Sequence, residues 1–98
     1  MTGNQYRMIY DALRYSGGLV NQYGDRRTIN ALTKANWIVK GTKYDPHGFI
    51  YQVTRAGISA AMIFIATRTS GAIDCEIIRF TQALIQVPYY SELYAGII

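Results

Sequence analysis

Five polar residues within the segment 26–34 are of types that can contact nucleic acid. Arg can donate two hydrogen bonds to guanine, Asn can bond adenine through its amide, and Lys can bind phosphate. In a helix of 3.6 residues per turn these side chains form one contiguous face, and they are Arg26, Arg27, Asn30, Thr33 and Lys34. The pattern fits either a contact face for an anionic partner or an ordinary solvated helix face.

Three further basic residues lie in a segment that we predict to be a β-hairpin, residues 37–53. Its centre, Asp45-Pro46-His47-Gly48, has the composition of a type I turn, because Pro presets φ at the second position and Gly suits the fourth. The basic side chains could lie along a phosphate strand, or they could protect the hairpin edge from aggregation. They are Lys40, Lys43 and His47.

The chain offers little for catalysis or for metal binding. It has one His and one Cys, too few for a zinc site of these ligand types, and we expect no cofactor. A nucleophile needs a base in reach, and His47 is the only imidazole. Cys75 lies between Asp74 and Glu76, whose negative charges disfavour a thiolate. We therefore predict that the protein is not an enzyme.

The nine tyrosines could stack on unpaired bases or pack inside the protein. Tyr6 and Tyr10 fall on the apolar stripe of a predicted first helix, so we assign them to the core. Tyr89, Tyr90 and Tyr94 belong to an apolar C-terminal segment, and Tyr is enriched at interfaces. We assign these three to an interface.

Charge is unevenly distributed along the 98 residues, whose net charge is +4. Residues 1–57 hold eight Lys or Arg and three Asp, a net charge of +5, whereas residues 58–98 hold two cations and three acids, a net charge of −1. A basic half suggests an anionic partner.

The sequence has no apolar run long enough for a membrane span and no signal-peptide pattern near Met1. The single Cys fits a reducing compartment, so we expect a cytoplasmic protein.

Apolar periodicity and capping residues predict a mainly helical α+β fold. Asp25 and Thr54 have the side chains of helix N-caps, and Ser16-Gly17-Gly18 has the composition of a helix C-terminus. Leu19-Val20 reads as a short strand. The predicted helices cover residues 5–15, 26–36, 55–67 and 72–86.

The order helix, helix, β-hairpin, helix resembles that of a winged-helix domain. Residues 27–39 resemble a recognition helix of pattern Arg-Thr-x-x-x-Leu that runs into the first wing strand. Residues 53–57, Val-Thr-Arg-Ala-Gly, resemble the Thr-x-x-Gly start of the next helix in regulators of the MarR and PadR type. The likeness covers residues 5–66, with one departure: residues 19–24 are too few for the helix that precedes the recognition helix in a full helix-turn-helix.

This resemblance implies a winged-helix domain over residues 1–66, with residues 67–98 as a packing or dimerisation extension. The predicted C-terminal helix has two apolar rows, of which Ile78 and Ile85 form the second. One row can cover the third helix, while the other needs the C-terminal segment or a second subunit. We predict that the dimer interface contains Ile73, Ile77, Phe80, Leu84, Tyr89, Tyr90 and Tyr94.

Two functions of different classes follow. The first is a homodimeric phage or bacterial regulator that binds double-stranded DNA, as the resemblance implies. The second is a phage-type inhibitor, such as an anti-CRISPR protein, that uses the same fold to bind a nucleic-acid-binding protein in the host cytoplasm. The polar helix face favours the first function, and the shortened helix-turn-helix favours the second. Neither function involves a membrane.

Overall fold

A computed structural model describes residues 1–41, 49–68 and 73–86. The predicted α+β, mainly helical class is confirmed. None of the helices in the described residues has the length and hydrophobicity needed to span a bilayer. In chain order the elements are α1 (Gly3–Tyr15), β1 (Leu19–Asn21), α2 (Arg26–Lys34), β2 (Ile38–Lys40), β3 (Phe49–Val53), α3 (Arg55–Arg68) and α4 (Ile73–Ile85).

Helix α1 begins two residues earlier than predicted because Thr2 and Gln5 form a capping box. The Gln5 backbone N–H donates to the Thr2 hydroxyl oxygen at 3.2 Å, and the Thr2 N–H donates to the Gln5 side-chain oxygen at 2.9 Å. The predicted glycine C-terminus is confirmed, since Gly17 and Gly18 have φ of 62° and 86°. The Gly18 N–H donates to the Ala12 carbonyl at 2.8 Å and closes the last turn.

The three strands form an antiparallel sheet in the order β1-β3-β2. Strand β3 lies in the centre, with Val20 opposite Tyr51 on one side and Ile38 opposite Val53 on the other. Pairing of β2 with β3 confirms the two arms of the predicted hairpin. Its predicted turn, residues 45–48, lies outside the described residues.

The core joins all four helices to the sheet. Helix α4 packs against both α1 and α3, so it belongs to the same core as the preceding elements. Tyr6 links these helices, because its ring lies 5.4 Å from that of Phe64 and 6.0 Å from that of Phe80, centroid to centroid. Among the described residues the buried apolar side chains are Ile9, Ala12, Leu13, Val20, Ile29, Leu32, Ile38, Val53, Ile58, Ala61, Ile65, Phe80, Ala83 and Leu84.

The location of Phe80 and Leu84 corrects the predicted dimer interface. Both side chains are only 1% exposed in the single chain, because their row of α4 is the one that faces the core. Ile77 is half-buried against that core, and Ile78 and Ile85 form the exposed row. Of the other predicted interface residues, Ile73 is the first residue of α4, and Tyr89, Tyr90 and Tyr94 lie outside the described residues.

Candidate nucleic-acid interface

Asp25 fixes the start of α2, the helix that carries most of the candidate contact residues. Its carboxylate accepts from the Thr28 hydroxyl at 2.7 Å and from the Arg27 backbone N–H at 3.3 Å. The Thr28 hydrogen bond is the main reason that the pKa of Asp25 lies below its ordinary value. The predicted N-cap is therefore confirmed, and α2 begins at Arg26.

The C-terminal end of α2 is equally defined. Asn36 has a φ of 60°, a left-handed conformation that Asn tolerates better than most residues. Its N–H donates to the Thr33 carbonyl at 3.0 Å, and the Trp37 N–H donates to the Leu32 carbonyl at 2.9 Å. These bonds turn the chain directly from α2 into β2.

The two sides of α2 have opposite surroundings. Thr28, Ile29 and Leu32 are buried, which anchors one side of the helix to the core. The five predicted contact residues are all exposed and, at 3.6 residues per turn, lie within an arc of about 120°. The structure thus brings the predicted set together on a single face, consisting of Arg26, Arg27, Asn30, Thr33 and Lys34.

This contact face of α2 is rich in positive charge. Between residues 12 and 44 the sequence has six Lys or Arg and one acid, Asp25. That carboxylate is held at the helix start by Thr28. On the same face, the Thr33 hydroxyl donates back to the Ile29 carbonyl at 2.7 Å, so its oxygen keeps acceptor capacity for a partner.

The predicted hairpin residues are only partly located. Lys40 is exposed at the end of β2, where it pairs with Tyr51 of β3. Only six positions separate it from Lys34, the last residue of α2. Lys43 and His47 lie outside the described residues, so the candidate interface consists of the α2 face and Lys40.

A groove of about 580 Å³ lies beside the start of α2. Its apolar wall includes Met8, Leu19 and Val20, and its charged rim includes Arg7 and Asp11. This groove could not be predicted from the sequence, because α1, β1 and the start of α2 meet only in the folded chain. No local pattern in the sequence signals it.

The turn between β1 and α2 borders this groove. The Tyr23 N–H donates to the Asn21 side-chain oxygen at 2.7 Å, and the Gly24 N–H donates to the Asn21 carbonyl at 3.2 Å. As predicted, residues 19–24 contain no helix, and this turn joins β1 directly to α2. Tyr23 projects from it and is 80% exposed.

The two α1 tyrosines that we assigned to the core are packed rather than free for stacking. Tyr6 and Tyr10 are half-buried against the core, which confirms their assignment. The Tyr10 hydroxyl accepts from the Arg14 guanidinium at 2.9 Å, and this bond is the main cause of a raised Arg14 pKa.

The described residues contain no cluster of three or more His, Cys, Asp or Glu that could hold a metal ion. Comparison with protein-family models, curated proteins and solved structures found no match for this chain. The chemistry and placement of the α2 side chains are therefore the basis for a functional proposal.

Proposed function

We propose that the chain is a small winged-helix regulator that binds double-stranded DNA as a homodimer and uses α2 as its contact helix. The observation that carries this proposal is the division of α2 into two sides. One side is anchored in the core by Ile29 and Leu32, and the other exposes five side chains that can bond bases or phosphates. Arg, Asn and Lys are also the residue types that most often bond guanine, adenine and phosphate.

The surrounding elements support the same proposal. Helix α2 is followed by the antiparallel pair β2 and β3 and then by α3, the order that the winged-helix resemblance implies. Lys40 stands on the first hairpin arm, where it can neutralise a phosphate near the helix. Helix α2 is about 13 Å long, which suits insertion into a major groove.

Individual roles follow from position and side-chain chemistry. In helix-turn-helix proteins the N-terminal residues of the recognition helix contact base edges, which assigns base contacts to Arg26, Arg27 and Asn30. Lys34 at the end of α2 and Lys40 on β2 are assigned to phosphates, because an ammonium group is a point charge without base-pair geometry.

A salt titration of duplex binding tests this proposal. We expect wild-type binding to a random duplex to weaken as salt rises from about 50 to about 200 mM. Lys34→Ala should weaken binding and reduce the slope of log K against log salt by about 1. Arg79→Ala on α4, which also removes an exposed cation, is the matched control and should leave both quantities nearly unchanged. A folded wild type that does not bind at about 50 mM salt and micromolar concentration contradicts the proposal.

The groove beside α2 favours a second candidate function, an inhibitor that binds a protein of a host nucleic-acid machine. A pocket with an apolar wall and a charged rim suits a protein segment better than a phosphate strand. If this second candidate is correct, the wild type does not bind duplex DNA. Leu19→Glu, at a half-buried position of the groove wall, then abolishes inhibition of the host nucleic-acid machine. Duplex binding that depends on Lys34 excludes it as the main function.

A further inference from the structure

A polar cleft of about 450 Å³ lies between the outer side of α1 and α4. Its volume falls within the range of about 300–1,000 Å³ that is usual for small-molecule sites. Arg7, Asp11 and Tyr15 line it from α1, and Arg79 lines it from α4. Within the described residues no ion pair joins Arg7, Asp11 or Arg79 to an opposite charge. These charges are therefore available to a ligand, and we call the four residues the α1–α4 site.

The three residues that α1 contributes stand in a row along the cleft. They recur at intervals of four, so they lie on one side of the helix, and all three are exposed. Each interval of four residues is about 6 Å along the helix axis. The order along the cleft is thus a cation at Arg7, a hydrogen-bond acceptor at Asp11 and an aromatic ring at Tyr15.

The ring of Tyr15 is oriented by its neighbours but stays accessible. The Arg14 guanidinium lies 5.3 Å from the ring centroid, and it also donates to the Tyr10 hydroxyl at 2.9 Å. The Tyr15 side chain is nevertheless 72% exposed, whereas Tyr6 and Tyr10 pack against the core. An exposed tyrosine ring can stack on any nucleobase, because every base has an aromatic face.

We infer that the α1–α4 site binds a nucleoside monophosphate. The guanidinium groups of Arg7 and Arg79 suit a phosphate, since each can donate two parallel hydrogen bonds to its oxygens. The Asp11 carboxylate can accept hydrogen bonds from the ribose hydroxyls, and the Tyr15 ring can stack on the base. The inference goes beyond DNA binding by α2, because none of the four residues belongs to the contact face of that helix.

The charges of the site favour a single phosphate over a nucleic-acid strand. Arg7 and Arg79 face the same cleft, where two like charges repel unless an anion lies between them. A phosphate monoester carries a charge of about −1.5 to −2 at neutral pH, which two arginines can match. Asp11 stands one helical turn further along α1 and repels a second phosphate at that point. A ligand with one phosphate and a neutral sugar meets both conditions.

Titration calorimetry of the full chain with three probes tests each part of the site. Adenosine monophosphate carries phosphate, sugar and base, whereas ribose phosphate lacks the base and adenosine lacks the phosphate. We expect adenosine monophosphate to bind about tenfold or more tightly than either partial ligand, because each of these lacks a charge-assisted contact or a stacked base. Its binding should weaken as salt rises, since the arginines are exposed.

Two variants separate the phosphate contact from the base contact. Arg79→Ala should weaken binding of adenosine monophosphate and ribose phosphate about tenfold or more and leave adenosine unchanged. Tyr15→Leu should weaken adenosine monophosphate and adenosine and leave ribose phosphate unchanged. Both side chains are exposed, so circular dichroism should report folded proteins. Lys34→Ala is the matched control, because it removes an exposed cation from α2, and it should bind all three probes like the wild type.

Several results would overturn the inference. A folded wild type that does not bind adenosine monophosphate at about 1 mM ligand overturns it, and so does equal binding of ribose phosphate, which would indicate a simple anion site. Tighter binding of a short single strand that is lost in Arg79→Ala assigns the cleft to nucleic acid instead. An equal loss in Lys34→Ala and Arg79→Ala attributes binding to net charge alone. Nucleotide binding without duplex binding contradicts only the DNA-binding proposal, and the reverse contradicts only this inference.

Discussion

Adding one methyl group at Gly57 tests the junction that holds α2 to α3. Gly57 lies in the first turn of α3, and a Cβ atom there would overlap the carbonyl oxygen of Trp37 and lie 3.0 Å from its carbonyl carbon. That carbonyl accepts the Thr54 N–H at 3.0 Å, and the Thr54 hydroxyl donates to the Asn36 carbonyl at 2.6 Å. The atoms that the added Cβ would overlap therefore belong to backbone that two hydrogen bonds hold in place. Unlike a side chain, this backbone cannot rotate out of the way.

The size of the effect follows from two opposing contributions. Overpacking a tight site costs about 1–3 kcal/mol, and a rigid backbone wall places Gly57→Ala near 3 kcal/mol. Replacing Gly by Ala inside a helix returns about 1 kcal/mol of helix propensity. The net destabilisation should be about 2 kcal/mol, which lowers the melting temperature by about 8–16 °C for a domain of this size.

Thermal unfolding followed by circular dichroism measures this difference. Gly3→Ala is the matched control, because Gly3 also lies in a first helical turn but has no neighbouring heavy atom within 4 Å of an added Cβ. It should melt at the wild-type temperature or slightly above it. A Gly57→Ala melting temperature within about 2 °C of the wild type refutes the tight junction.

Two further predictions concern the ends of α2. Asp25→Ala should destabilise the protein most above about pH 4. The difference in unfolding free energy from the wild type should shrink as the pH falls through the lowered folded pKa of Asp25, because the wild-type carboxylate is then protonated. Urea unfolding at several pH values measures this difference, and a difference that does not depend on pH contradicts the prediction. Asn36→Val should cost about 1–2 kcal/mol because its φ is 60°, whereas Asn36→Gly should be nearly neutral in the same unfolding assay; equal stability of the two variants rules out the left-handed conformation.

The starts of α2 and α3 and the end of α1 could be predicted because their signals are local. Asp25 and Thr54 accept hydrogen bonds from N–H groups two or three residues away, so the residue type and its position are sufficient. The same holds for Gly17 and Gly18, where only a positive φ is required. The five exposed residues of α2 could likewise be grouped from helical periodicity alone.

Burial was harder to predict where two residues competed for the same side of a helix. Helical periodicity places the apolar Ala35 on the same side as Thr28, but α2 ends at Lys34 and Ala35 is exposed. Thr28 is buried instead, because Asp25 satisfies its hydroxyl and removes the cost of burying it. Hydropathy does not indicate this hydrogen bond, so it does not predict that Thr28 is buried.

Which of the two apolar rows of α4 faces the core depends on tertiary structure. Both rows consist of large apolar residues, so periodicity identifies them without ranking them. Packing against α1 and α3 buries Phe80 and Leu84 and leaves Ile78 and Ile85 outside. The sequence pattern therefore does not show which row is buried in the single chain.

The residues that carry the winged-helix resemblance divide into two roles in this structure. Thr54 caps α3 through the Gly57 N–H at 3.0 Å and at the same time bonds the Asn36 carbonyl, while Gly57 leaves room for the Trp37 carbonyl. These residues hold the segment after α2 against the start of α3, so they orient the candidate contact helix. Their presence in the sequence therefore bears on the fold, whereas the DNA binding that we propose is assigned to the exposed face that begins at Arg26. A variant such as Gly57→Ala should lower stability and duplex binding together, whereas Lys34→Ala should change binding and its salt dependence while the melting temperature stays close to that of the wild type.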